Sequence, residues 1–110
     1  MKNQTIIELL NPGLQKLIQE KGWHSGLKPI QIAAIPSILD GYDCIIEAPT
    51  AGGKTEAVLL PALTRAAQEK HNCVQVLYLA PLRALLNDIE LRATEYSAVC
   101  GLNCFKWHGD

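Results

Sequence analysis

Eight consecutive residues, Ala48-Pro49-Thr50-Ala51-Gly52-Gly53-Lys54-Thr55, carry the types and order that grip a phosphate chain. The template for such a loop is G-x-x-x-x-G-K-[ST], and only its first position departs here, with Ala48 in place of glycine. Gly52 and Gly53 free the backbone to take left-handed angles and to approach an anion closely. Successive N–H groups then point inward, and the start of the following helix adds its partial positive charge. Lys54 supplies a point charge for the β- and γ-phosphates. The Thr55 hydroxyl is of the type that ligates Mg²⁺. The stretch is therefore read as a nucleotide-phosphate loop, with Lys54 and Thr55 in catalytic roles and Thr55 as the metal ligand.

Such a loop works only between a strand and a helix, and the flanking sequence predicts both. "DCIIEA" (43–48) reads as a short strand. A helix follows over 53–69, apolar on most sides through Ala57, Val58, Leu59, Leu60, Leu63 and Ala66. Pro61 is expected to kink it. "VQVLYLA" (74–80) is a second strand, with the apolar run of a buried parallel one. A helix over 82–96 and a third strand, "LNCFKW" (102–107), complete the alternation. Upstream, two helical stretches fill 5–22 and meet at Asn11-Pro12, the second ending at Gly22. A further helix over 29–39 starts at Pro29 and contains Pro36, which removes one backbone hydrogen bond and should bend it. Strand–helix–strand–helix–strand is the pattern of a parallel sheet with flanking helices, an α/β fold.

Composition bounds the rest. The 110 residues make at most one small domain, and 48% apolar with 19% charged residues is ordinary globular usage. No apolar run is long enough to span a membrane, and "MKNQTIIELL" lacks a secretory h-region. A net charge of −1 gives no electrostatic footprint for nucleic acid. Backbone amides and hydroxyls hold phosphates without net charge, so that class stays open. Cys44, Cys73, Cys100 and Cys104 form no CxxC pair and read as reduced, buried thiols of a cytoplasmic protein. The other reading, zinc on Cys100, Cys104 and His108, has no evident fourth ligand.

Many ATPases, GTPases and kinases share the phosphate loop, and three further stretches narrow the choice. "KPIQ", with Gln31 placed 23 residues before Lys54, followed by "IPSILDGYDCIIEAPTAGGKT", resembles the first RecA-like domain of superfamily 2 helicases, the DEAD/DEAH-box kind. The resemblance implies that Gln31 reads the adenine edge and selects ATP, used with Mg²⁺. Ala48 is the residue which the helicase version of the loop has. Many DEAD-box members stack an aromatic on the base, and this chain has no aromatic before Trp23. "YLAPLRALLND" (78–88) is similar to motif Ia, which implies that Pro81, Leu82 and Arg83 hold a nucleic-acid phosphate. "WHGD" (107–110) resembles a turn of Lhr-type helicases, where Gly109 lets backbone approach the tracked strand. "PLRAL" is closer to that group than to DEAD-box RNA helicases, and "EAPTAGGKTEA" also looks like defence-associated helicases. The implied partners are DNA or RNA and a second RecA-like domain.

The resemblance covers about Pro29 to Asp110, and residues 1–110 read as the N-terminal portion of a partial RecA-like P-loop NTPase domain. The family's D-E-x-H or D-E-x-D stretch, which holds Mg²⁺ and orients water, does not occur in them. Asp88-Ile89-Glu90 is no substitute, because its acids point to different sides of a helix. The resemblance further implies that the strands carrying those acids lie between the first two strands seen here, which leaves the sheet incomplete without them. The leading expectation is an ATP-dependent nucleic-acid helicase or translocase whose 110-residue piece does not hydrolyse ATP by itself. A P-loop kinase or other small ATPase is a second reading, marked by GTP competing as well as ATP. A non-catalytic nucleotide-binding module is the third, marked by absence of nucleic-acid-stimulated hydrolysis. Unpaired strand edges expose apolar faces, so purified residues 1–110 are expected to aggregate in gel filtration and to bind apolar dyes. A clean monomer contradicts this.

Overall fold

Two short helices open the chain, α1 (Asn3–Ile7) and α2 (Pro12–Glu20). The computed structural model describes residues 3–24, 26–49, 53–69, 73–79 and 83–105, of which residues 83–87 as backbone. Asn11 makes the corner between α1 and α2. Its side-chain oxygen accepts the Gly13 N–H at 2.8 Å, and Pro12 occupies the first helical position, where no N–H is needed. Gly22, at φ 74°, closes α2, with the Trp23 N–H reaching back to the Ile18 carbonyl at 3.0 Å.

Three longer helices follow: α3 (Pro29–Leu39), α4 (Lys54–Gln68) and α5 (Arg83–Val99). Pro29 starts α3 as the sequence predicts, and the helix runs through Pro36 to Leu39. α5 extends past the expected end at residue 96 and stops where Gly101 takes φ 75° and Leu102 N–H bonds the Ser97 carbonyl at 2.9 Å. α3 lies along α4, α5 packs on α4 and α2, and α1 on α3. Leu14, Ile18, Ile35, Leu60 and Tyr96 are fully buried where these faces meet. Thr64 is buried among them. Its hydroxyl accepts the Asn11 N–H at 3.0 Å and donates to the Leu60 carbonyl at 2.8 Å, so the α1–α2 corner is tied to α4.

Among the described residues the expected parallel sheet is not formed. No strand occurs among the described residues: 43–48, 74–79 and 102–105 have no regular structure. Their composition gives β-propensity, but propensity is worth at most about 1 kcal/mol and a strand exists only against a hydrogen-bonding neighbour. None of the three segments lies in a ladder with another. Most of their apolar side chains consequently face solvent, with Ile45 94% exposed and Leu79 81% exposed, whereas Leu102 is half-buried against the core. Among the described residues the architecture is a helical assembly with these three segments lacking regular structure.

Candidate nucleotide-binding site

The site is built where the first turns of α3 and α4 meet. Gly53 is the N-cap of α4, at φ 80° and ψ 26°, a left-handed conformation that costs other residues about 1–2 kcal/mol. Lys54 follows at the first helical position and is exposed, and Thr55 is half-buried. Gln31 reaches Gly53 from α3. It sits at the third position of α3, where its Oε1 accepts the Lys28 N–H at 2.9 Å, one half of a capping box. Its Nε2 donates to the Gly53 carbonyl at 3.2 Å. One amide thus fastens the caps of two helices, and Gln31 is only 7% exposed. A Cβ on Gly53 would sit 2.5 Å from Gln31 Nε2 and 2.9 Å from Lys28 Cδ. Glycine is required there by both angle and space.

Beside this junction a groove of about 520 Å³ runs between the start of α3 and residues 47–49. Lys28, Pro29, Ile30 and Ala33 form one wall, and Glu47, Ala48 and Pro49 the other. It is open to solvent and mostly apolar, with Lys28 and Glu47 as the charged residues of its lining. Gln31 is not among its lining residues.

Of the residues singled out from sequence, Gln31, Gly53, Lys54 and Thr55 are thus gathered around two helix caps, with Ala48 and Pro49 at the adjoining groove. Thr50, Ala51, Gly52, Pro81, Leu82 and Gly109 lie outside the described residues, as does His108. Arg83 is the first residue of α5. The cysteines depart from the expectation of uniform burial: Cys100 is buried and Cys104 half-buried, but Cys44 and Cys73 are exposed. Burial pushes the Cys100 thiol up to about 11. Among the described residues no group of three or more His, Cys, Asp or Glu side chains is placed to hold a metal.

A cluster that the sequence did not single out fixes the first turn of α4. Glu56, buried at the third position of α4, accepts the Tyr96 phenol at 2.9 Å and Arg92 Nη1 at 3.1 Å. Arg92 also pairs with Asp88 at 2.8 Å. Burial, and then the bond to Glu56, raise the Tyr96 phenol above its ordinary range. For Arg92, burial opposes the charge, but Glu56 and Asp88 outweigh it and the guanidinium is held above its usual value. Trp23 meets Tyr96 edge-on, with ring centres 6.4 Å apart. The one available signal was spacing: Asp88, Arg92 and Tyr96 recur every four residues and so share a face of α5.

Residues 28–110 match the family model described as DEAD/DEAH box helicase. The chain is 40% identical over 93 residues to ATP-dependent RNA helicase DBP9 of Ajellomyces capsulatus, covering 80% of this chain and 15% of that protein. It is 40% identical over 93 residues to DEAD-box ATP-dependent RNA helicase CshC of Bacillus cereus, covering 84% and 23%. Against ATP-dependent helicase Lhr-Core of Saccharolobus solfataricus it is 34% identical over 98 residues, covering 84% and 11%. The chain therefore spans under a quarter of the length of each of these relatives. No solved structure matches.

Gly53→Ala in the full-length protein is expected to lose about 1–3 kcal/mol in urea denaturation, because the methyl group displaces Gln31 and sits at a left-handed angle. Unchanged stability would contradict the described junction.

Proposed function

The chain belongs to the DEAD/DEAH box helicase family, and from that premise we propose that it supplies the ATP-gripping part of an ATP-dependent nucleic-acid helicase. The observation that carries the reading is the Gln31 bond to Gly53. It sets the base-reading candidate directly against the phosphate-loop candidate, as one nucleotide needs.

Each residue's role follows from its chemistry. A primary amide has two acceptor lone pairs and two donor hydrogens. After the bonds to Lys28 N–H and the Gly53 carbonyl, Gln31 keeps one of each. That remaining pair complements adenine, which offers an amino donor beside the N7 acceptor. The groove of Lys28, Pro29, Ile30, Ala48 and Pro49 supplies an apolar bed for the base. Thr50, Ala51, Gly52 and Gly53 are assigned to the phosphates, with the α4 N-terminus behind them. Lys54, exposed at the first turn, is proposed to meet the β- and γ-phosphates. Thr55 is the proposed ligand of Mg²⁺, which when bound neutralises developing phosphate charge. Gly53 supports the reading, since its left-handed cap is the backbone conformation that a glycine-rich phosphate loop needs before its helix.

For the nucleic acid we assign Pro81, Leu82, Arg83 and Gly109, and RNA is the strand to test first, because two of the relatives are named RNA helicases. A second RecA-like domain is proposed to close over the ATP, so that grip on the strand differs between nucleotide states. No helix among the described residues is long and apolar enough to cross a membrane. Exposed free thiols at Cys44 and Cys73 support a cytoplasmic setting.

Calorimetric titration of the full-length protein with Mg-ATP tests the assignment. Lys54→Ala is expected to weaken binding by at least about tenfold, the usual worth of a charge-assisted contact, and to abolish RNA-stimulated hydrolysis. A variant that binds and hydrolyses like the parent overturns the role of Lys54.

A further inference from the structure

Helices α3 and α4 carry the same kind of side chain at the same position and treat it differently. In α3 the third residue, Gln31, folds back and accepts the N–H of its own N-cap, Lys28, at 2.9 Å. In α4 the third residue is Glu56, whose N-cap is Gly53. The positive end of the helix attracts a carboxylate there, although Gly53 caps α4 in a left-handed conformation where Lys28 caps α3 in an extended one. Glu56 instead turns to α5, where Tyr96 Oη donates to it at 2.9 Å and Arg92 Nη1 at 3.1 Å.

We infer that Arg92 and Tyr96 are positioning residues that hold the Glu56 carboxylate away from the Gly53 amide, keeping the α4 N-terminus open for an anionic phosphate chain. The inference rests on the nucleotide-binding reading of that loop. A carboxylate folded onto the cap would satisfy the amides and place a negative charge where phosphates must sit. Arg92 also offsets the charge, and its second bond, to Asp88 at 2.8 Å, fixes the guanidinium in place. The Tyr96 ring is locked by burial and by its edge contact with Trp23, so the phenol presents a fixed donor. The restraint is therefore built into α5, outside the phosphate loop itself.

Equilibrium binding of Mg-ATP to the full-length protein, with thermal unfolding alongside, tests this. The double variant Arg92→Met with Tyr96→Phe frees the carboxylate and is expected to weaken Mg-ATP binding about two- to fivefold, the usual range for a charge at a helix terminus. Adding Glu56→Gln to that pair is expected to restore parental affinity without restoring the unfolding temperature. Glu56→Gln alone is expected to bind as the parent does. A purely structural cluster predicts the opposite, since the triple variant has lost still more contacts and would bind no better than the double. That result overturns the inference, as does parental affinity in the double variant or a Glu56→Gln protein as weak as the double. If the double variant fails to fold, Tyr96→Phe alone, with and without Glu56→Gln, gives the same comparison while keeping the ring. A parent protein that does not bind Mg-ATP removes the nucleotide reading and this inference together. A parent that binds, with no recovery in the triple variant, removes this inference alone.

Discussion

A single side-chain amide joins the two helix starts around which the site is arranged. Gln31 accepts the N-cap N–H of α3 and donates to the N-cap carbonyl of α4, and it is almost wholly buried while doing so. A buried amide left without these partners would cost about 1–3 kcal/mol, so the two caps are held in register by the penalty of breaking either bond. The same contact dictates glycine at position 53, because any Cβ would collide with the amide. Backbone angle, packing and site geometry therefore converge on one residue pair.

The rest of the fold supports that junction from behind. α4 is anchored at its first turn through Glu56 to α5 and in its middle through Thr64 to the Asn11 corner. The two bonds to Glu56 are unequal. The bond to Tyr96 is buried, whereas the Arg92 side chain is 39% exposed and its ion pair is screened by water. The phenol thus contributes more to holding the carboxylate, and the guanidinium more to offsetting its charge. Around these polar ties, Leu14, Ile18, Ile35 and Leu60 exclude water, and this makes each hydrogen bond costly to break.

What could be read from the chain was local. The order Gly52-Gly53-Lys54-Thr55 has the pattern expected of a phosphate loop, because amide geometry, helix dipole and charge all act within a few residues. Asn11-Pro12, Pro29 and Gly22 mark helix ends for the same reason. The three expected strands do not form among the described residues, and pairing, a long-range property, decides this. Ile45, Val74 and Leu77 have the side chains of strand residues, and nothing in the segments themselves shows whether a neighbour is present. The Glu56 cluster escaped for a related reason: its partners lie 36 and 40 residues away. Gln31 was marked by its spacing, but its bond to Gly53 belongs to tertiary structure.

The central claim is that Gln31 makes the base and the phosphates parts of one site. The ratio of ATP to GTP affinity, measured by competition in magnesium buffer on the full-length protein and on its Gln31→Ala variant, tests it most directly. The account predicts that the parent prefers ATP by at least about tenfold, since a guanine would meet mismatched polar groups, and that the preference vanishes in the variant. Equal affinity for the two nucleotides in the parent, or an undiminished preference in the variant, would contradict it.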